Sequence, residues 1–139
     1  MPDKKIVNFI KEHHLLTLAT SKENMPYCSN VFYIYNEKNK SLIFSSDIKT
    51  RHAQEFSENS SVAGAIALET KDVEKIQGVQ LLGEITELKG EGLEKVRSQY
   101  LKAYPYARRM NTHLWEMTLT FIKMTHNQLG FGKKLVWEK

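Results

Sequence analysis

The sequence predicts a mainly β protein, a small antiparallel barrel of six or seven strands with two or three helices attached. Three observations lead there. Apolar and polar residues alternate repeatedly with period two, short polar turns separate those runs, and the stretches at helical spacing are brief. With 139 residues, 41% hydrophobic and 26% charged, one domain over residues 1–139 has the length to bury a single core.

Taken in order, Asp3 to His14 reads as a packing helix, with Asp3 as N-cap and Ile6, Val7, Phe9 and Ile10 at helical spacing. Leu15–Thr20 and Tyr27–Tyr35 are β-prone runs joined by the turn Lys22-Glu23-Asn24-Met25-Pro26, which makes a hairpin. Ser41–Ser46 follows another polar turn and adds a third strand, so short links imply antiparallel pairing. Asp47 to Ser57 changes period and predicts a short helix capped by Asp47. Val62–Leu68 and Ile76–Leu88 are strands, and Gly78 and Gly83 inside the second signal a bend or a close backbone approach. Leu93, Val96, Tyr100 and Tyr104 share a helical face that ends near Pro105. Leu114–Thr125 alternates again, and Leu135–Trp137 offers a last short strand.

Composition excludes several classes. A single cysteine, Cys28, forbids an intramolecular disulfide and fits a reduced, cytoplasmic setting. The apolar stretches are too short for a membrane span, and Met1–Asn8 lacks the order of a signal peptide. The net charge of +4 is uneven: residues 97–139 hold eight basic and two acidic side chains, including Arg108, Arg109, Lys133 and Lys134. Such an excess attracts phosphates, but no nucleic-acid recognition module accompanies it. The five histidines lack metal-site spacing, so no metal is expected. Gly130-Phe131-Gly132-Lys133-Lys134 is not a P-loop, because Asn127 stands where the first Gly belongs and Lys134 where Ser or Thr belongs.

One segment gathers chemistry: Phe44-Ser45-Ser46-Asp47-Ile48-Lys49-Thr50-Arg51-His52, at a strand-to-helix junction. Hydroxyls at Ser46 and Thr50, a guanidinium at Arg51 and helix N–H donors are what a phosphate monoester requires. Ordinary helix capping by Ser-Asp explains the same residues, and Asp47 places a negative charge there.

The order of elements, with Phe44-Ser45-Ser46, Thr50-Arg51, Asn59-Ser60-Ser61-Val62-Ala63 and Val79-Gln80-Leu81-Leu82-Gly83-Glu84-Ile85, resembles the FMN-binding split barrel of the pyridoxamine 5′-phosphate oxidase-like proteins. Lys49–Gln54, Gly78-Val79-Gln80 and Asn127–Lys134 are similar to a bacterial branch of that family. The resemblance implies FMN in a groove at a homodimer interface, with Ser46, Thr50 and Arg51 on the phosphate and Asn30, Val31 and Phe32 along the isoalloxazine ring. Gln80 matches a position that is basic in the oxidases, so a charge is lost there. The oxidases' Arg-x-His pattern that grips pyridoxamine phosphate has no counterpart, and the vitamin substrate is not implied.

The expected function is that of a flavin-dependent oxidoreductase acting on a small molecule, with chemistry belonging to the flavin. The alternative is a non-catalytic flavin or haem carrier, with His52 or His126 as axial ligand, because one fold serves several ligands. Phe131 between two glycines is an apolar ring in a polar turn. It is expected either to lie over the cofactor groove, with Lys133 offering charge to an anionic group, or to plug the protein's own core.

Overall fold

In the computed structural model, which describes residues 1–110 and 113–139, the strands and helices follow the order read from the sequence. The helices are α1 (Lys4–Glu12), α2 (Arg51–Glu58) and α3 (Leu93–Ala103). The strands are β1 (Leu15–Lys22), β2 (Met25–Asn36), β3 (Ser41–Ser46), β4 (Ser61–Ala67), β5 (Gln77–Glu87), β6 (His113–His126) and β7 (Lys134–Glu138). All pairings are antiparallel, in the order β3-β2-β1-β4-β5-β6-β7. Pairing of β3 with β6 closes six strands into a barrel and leaves β7 as an added strand beside β6. At fourteen residues β6 is long enough to pair with β3 through its first half and with β7 through its second.

Alternation fills the barrel. Leu16 and Leu18, Leu42 and Phe44, Leu81, and Met117, Leu119, Ile122 and Met124 point inward and are at most 2% exposed. Ile6, Phe9 and Ile10 of α1 and Ala53 and Phe56 of α2 join this core. The Phe56 ring meets Trp115 edge-on at 4.7 Å and Phe44 at 5.9 Å, and burying such a ring contributes about 1.5–3 kcal/mol. A second cluster on the barrel's outside joins Ile43 and Leu114 to Tyr100 of α3 and to Ala107.

Gly83 shows why the long strand bends. The register slips between Leu82 and Gly83, where Phe121 and Leu119 are the successive partners and Thr120 is extra. A Cβ at Gly83 would stand 2.5 Å from the Thr118 carbonyl, so only glycine permits this approach.

One expectation is corrected. The second helix starts at Arg51, not Asp47, and its cap is Thr50, whose hydroxyl oxygen accepts from the Ala53 amide at 3.2 Å. Asp47 is consumed by a turn: its carboxylate accepts from the Lys49 amide at 2.9 Å and its carbonyl from the Thr50 amide at 3.0 Å. Helix α3 ends at Ala103, just before Pro105 as its spacing predicts, and Pro105 opens a 3-10 turn through Arg109.

Candidate functional site

The barrel opens between β2 and β3. Their ladder runs from Asn36–Ser41 to Tyr33–Phe44 and stops there. Beyond that point β2 stays with β1 through Phe32, Val31 and Asn30, while β3 stays with β6 through Ser45 and Ser46. The divergence produces a cleft of about 400 Å³, of ligand size, and leaves the β3-facing edge of Asn30–Phe32 without a strand partner.

Helix α3 and the 3-10 turn seal part of that edge. The Tyr100 hydroxyl donates to the Phe32 carbonyl at 3.1 Å, and the Tyr104 hydroxyl donates to the Tyr33 carbonyl. The Phe32 carbonyl, which the diverging strand abandons, must find a donor, and Tyr100 provides it. Burial pushes the Tyr100 hydroxyl up to about 12, so it keeps its proton at ordinary pH. Phe32 stacks on Tyr104 at 5.5 Å and meets Tyr106 edge-on at 6.3 Å. Tyr106 and Met110 remain half exposed and complete an apolar wall on one side of the cleft.

The opposite side is polar. Ser46, Asp47, Thr50 and His52 line it, where β3 ends and α2 begins. Ser46 is buried, and its carbonyl accepts from the Trp115 indole at 3.0 Å, which fixes the strand end. The Ser46 hydroxyl lies 2.8 Å from His52 Nε2, and the Thr50 hydroxyl lies 3.3 Å from the same nitrogen. The Thr50 hydroxyl donates its one proton to the Asp47 carbonyl at 2.8 Å. Thr50 therefore caps the helix and cannot donate to a ligand, which leaves Ser46, the first-turn amides of α2 and His52 as available donors.

Arg51 is held away from the cleft. Its Nε donates to Glu55 Oε2 at 2.9 Å, and its guanidinium lies 4.0 Å over the Tyr27 ring. Glu55 is buried and also accepts from the Thr20 hydroxyl at 2.8 Å. Hydrogen bonds from Arg51 and then Thr20 hold its carboxyl below the usual range.

Of the residues singled out from the sequence, Asn30, Val31, Phe32, Ser46 and Thr50 meet in one cleft, with Arg51 directly behind it. Gln80, Phe131 and Lys133 lie elsewhere on the protomer. Gln80 is exposed on the outer face of β5, between Ala65 of β4 and Lys123 of β6. Phe131 sits in the turn before β7 and is 88% exposed, which overturns its expected role as a plug of the protomer's own core. That turn is tied down by Asn127, whose side chain donates to the Val73 carbonyl at 2.8 Å and accepts from the Gly132 amide at 3.0 Å. His126 lies at the far end of β6, opposite Gln77, and does not line the cleft that contains His52. Among the described residues, no three His, Cys, Asp or Glu side chains are grouped to hold a metal ion. Sequence reading missed Tyr106 and Met110 because they follow a proline that signals the end of a helix.

A neighbouring cleft of about 430 Å³ lies on the other side of Tyr104, between α1 and α3. Its His13 is committed to the Phe9 carbonyl at 2.8 Å, and no helix starts there. The opening between β2 and β3 differs from it in joining an apolar wall to a helix N-terminus.

An antiparallel barrel whose β2–β3 ladder parts beside a helix start defines a split-barrel protein. Residues 2–126 match the pyridoxamine 5′-phosphate oxidase family, and the chain belongs to it. UPF0306 protein YhbP of Salmonella paratyphi A is 40% identical over 132 residues, covering 95% of this chain and 90% of its own. A heme binding protein from Mycobacterium smegmatis has the same fold, with TM-score 0.76 at 19% identity over 90% of this chain, which spans 52% of that one. An FAD-binding protein from Mesorhizobium loti superposes with TM-score 0.73 at 12% identity, covering 89% of this chain and 94% of its own. Among the described residues, no helix is long and apolar enough to cross a membrane.

Proposed function

We propose that this protein binds FMN as a homodimer and serves as a flavin-dependent oxidoreductase on a small molecule. The observation that carries the reading is the cleft itself: one opening joins an unpaired strand edge and an aromatic wall to a hydroxyl and helix N-terminus suited to a phosphate. Bound flavin would supply the redox chemistry. The chain's own residues do the rest. Ser46 and the first-turn amides of α2 receive the phosphate, the Asn30–Phe32 edge offers backbone groups to the ring's polar rim, and Phe32, Tyr106 and Met110 exclude water from the ring.

The dimer is supported by the outer face of β2, β1, β4 and β5. In register across these strands run Asn30, Thr17, Ala65 and Gln80, and beside them Cys28, Ala19, Ala63 and Leu82. Small and apolar side chains here make a flat face, with Leu15 and Leu82 nearly half exposed. A second copy packed on this face by a two-fold axis would carry its Gln80 toward the first copy's Asn30, at the edge of the cleft. The same packing gives exposed Phe131 a surface to cover and brings Lys133 to an anionic group.

The absorbance spectrum of the purified protein tests the reading. Flavin bands, or their appearance after FMN is added and free ligand removed, are expected; a Soret band favours the haem carrier instead. A colourless protein that retains neither ligand overturns both.

A further inference from the structure

We infer that His52 is the ligand-facing cation of the cleft, so that a phosphate bound there is held together with a proton taken up by His52. The inference rests on the flavin reading above.

Among the described residues that line the cleft, His52 is the one basic side chain. Arg51 is bonded through Nε to Glu55, lies over Tyr27 and does not line the cleft, whereas His52 does. Thr50 has given its proton to the Asp47 carbonyl, so its oxygen can only accept from His52 Nε2 at 3.3 Å. Ser46 at 2.8 Å has a choice. Facing a bare Nε2 it donates to the imidazole and has no proton for a ligand. Facing Nε2–H it accepts, and its own hydrogen is free to turn to an anionic oxygen. Where Nε2 is the bare nitrogen of neutral His52, protonation there adds a positive charge and releases the Ser46 donor together; where neutral His52 already carries Nε2–H, as the Thr50 contact favours, Ser46 is already free and protonation at Nδ1 adds the charge alone.

The surroundings keep His52 neutral until an anion arrives. Burial lowers its pKa, and Glu55 opposes this only in part, being occupied by Arg51 and Thr20. Asp47 on the preceding turn is engaged by the Lys49 amide, and His113 of β6, opposite Ser46, is paired with Glu87 at 2.6 Å. Tyr100 of α3 stays protonated, and the cleft-lining Asn30–Phe32 of β2 holds no titratable group. A phosphate in contact with His52 adds the missing negative charge and raises its pKa, and by linkage the protonated protein binds phosphate more tightly.

The test is an NMR pH titration of the His52 imidazole, assigned with His52→Gln, in the wild-type protein alone, with saturating riboflavin and with saturating FMN. The phosphate ionises near pH 6, so the His52 resonance and not affinity alone is the readout. The expected result is a pKa raised by about one unit or more with FMN and unmoved by riboflavin, the tenfold coupling of a contact charge. His52→Gln should bind riboflavin as the wild type does while losing much of the preference for FMN. If both flavins bind and shift His52 equally, or neither shifts it, the inference is wrong and the flavin reading stands. If neither flavin binds, the flavin reading fails and carries the inference with it.

Discussion

Arg51 Nε donates to Glu55 Oε2 at 2.9 Å, one helical turn away, so the guanidinium that the sequence offers to a phosphate also has a place in the fold. Because Glu55 is buried against Thr20, removing Arg51 leaves a desolvated carboxylate with one partner. Arg51→Ala should lower the melting temperature of the ligand-free protein by a few degrees at neutral pH. The sign with pH follows from the depressed carboxyl of Glu55: its stabilisation is present above the unfolded carboxylate pKa and is lost as pH falls through the lower folded value. The gap between wild type and Arg51→Ala should therefore close in acid; a gap that is constant with pH would place the effect in the Tyr27 contact instead.

Gly83→Ala should cost about 1–3 kcal/mol or more in urea unfolding, because the added carbon meets the Thr118 carbonyl across the bulge. Gly90→Ala is the control. A carbon there meets nothing within 4 Å, and its φ of +74° costs only about 1 kcal/mol. Equal losses at both positions would mean that the close approach of β5 and β6 is not what requires glycine at 83.

Tyr100→Phe keeps the ring and deletes the donor to the Phe32 carbonyl. Leaving that acceptor unpaired should cost about 1–3 kcal/mol of stability. It should also weaken riboflavin and FMN alike, since the change lies at the ring edge of the cleft. A selective loss of FMN in flavin titrations would place the phosphate at the wrong end.

Ala65→Arg places a long cation in the middle of the flat face across β1, β4 and β5. Light scattering should give twice 16.1 kDa for the wild type and 16.1 kDa for the variant, with circular dichroism unchanged. A wild-type mass of 16.1 kDa at micromolar concentration would remove the shared interface and the roles of Gln80, Phe131 and Lys133 in it.

The barrel was legible because period-two alternation reports inward and outward faces directly, as in Leu16, Leu18 and Thr20 against Thr17 and Ala19. Three parts of the site were legible through Asn30–Phe32, Ser46 and Thr50, which the fold brings together. The rest depended on contacts between segments distant in sequence. Arg51 and Glu55 have the i, i+4 spacing of a helix face, but nothing near them reveals that Thr20 will meet that carboxylate in a buried contact, or that the ladder between β2 and β3 will stop at Tyr33 and Phe44. Local rules also misplaced the start of α2: Asp47 and Thr50 are both good caps, and the turn closed by the Asp47 carbonyl selects Thr50.

The central claim is that the opening between β2 and β3 holds a flavin by its phosphate at Ser46 and the start of α2. Parallel fluorescence titrations of wild type and Ser46→Ala with FMN and riboflavin test it most directly. FMN should bind the wild type about ten- to a hundredfold more tightly than riboflavin, the equivalent of one charge-assisted hydrogen bond, and Ser46→Ala should lose most of that advantage while keeping its riboflavin affinity. Equal affinity of the wild type for the two flavins, or an FMN preference untouched by Ser46→Ala, would contradict it.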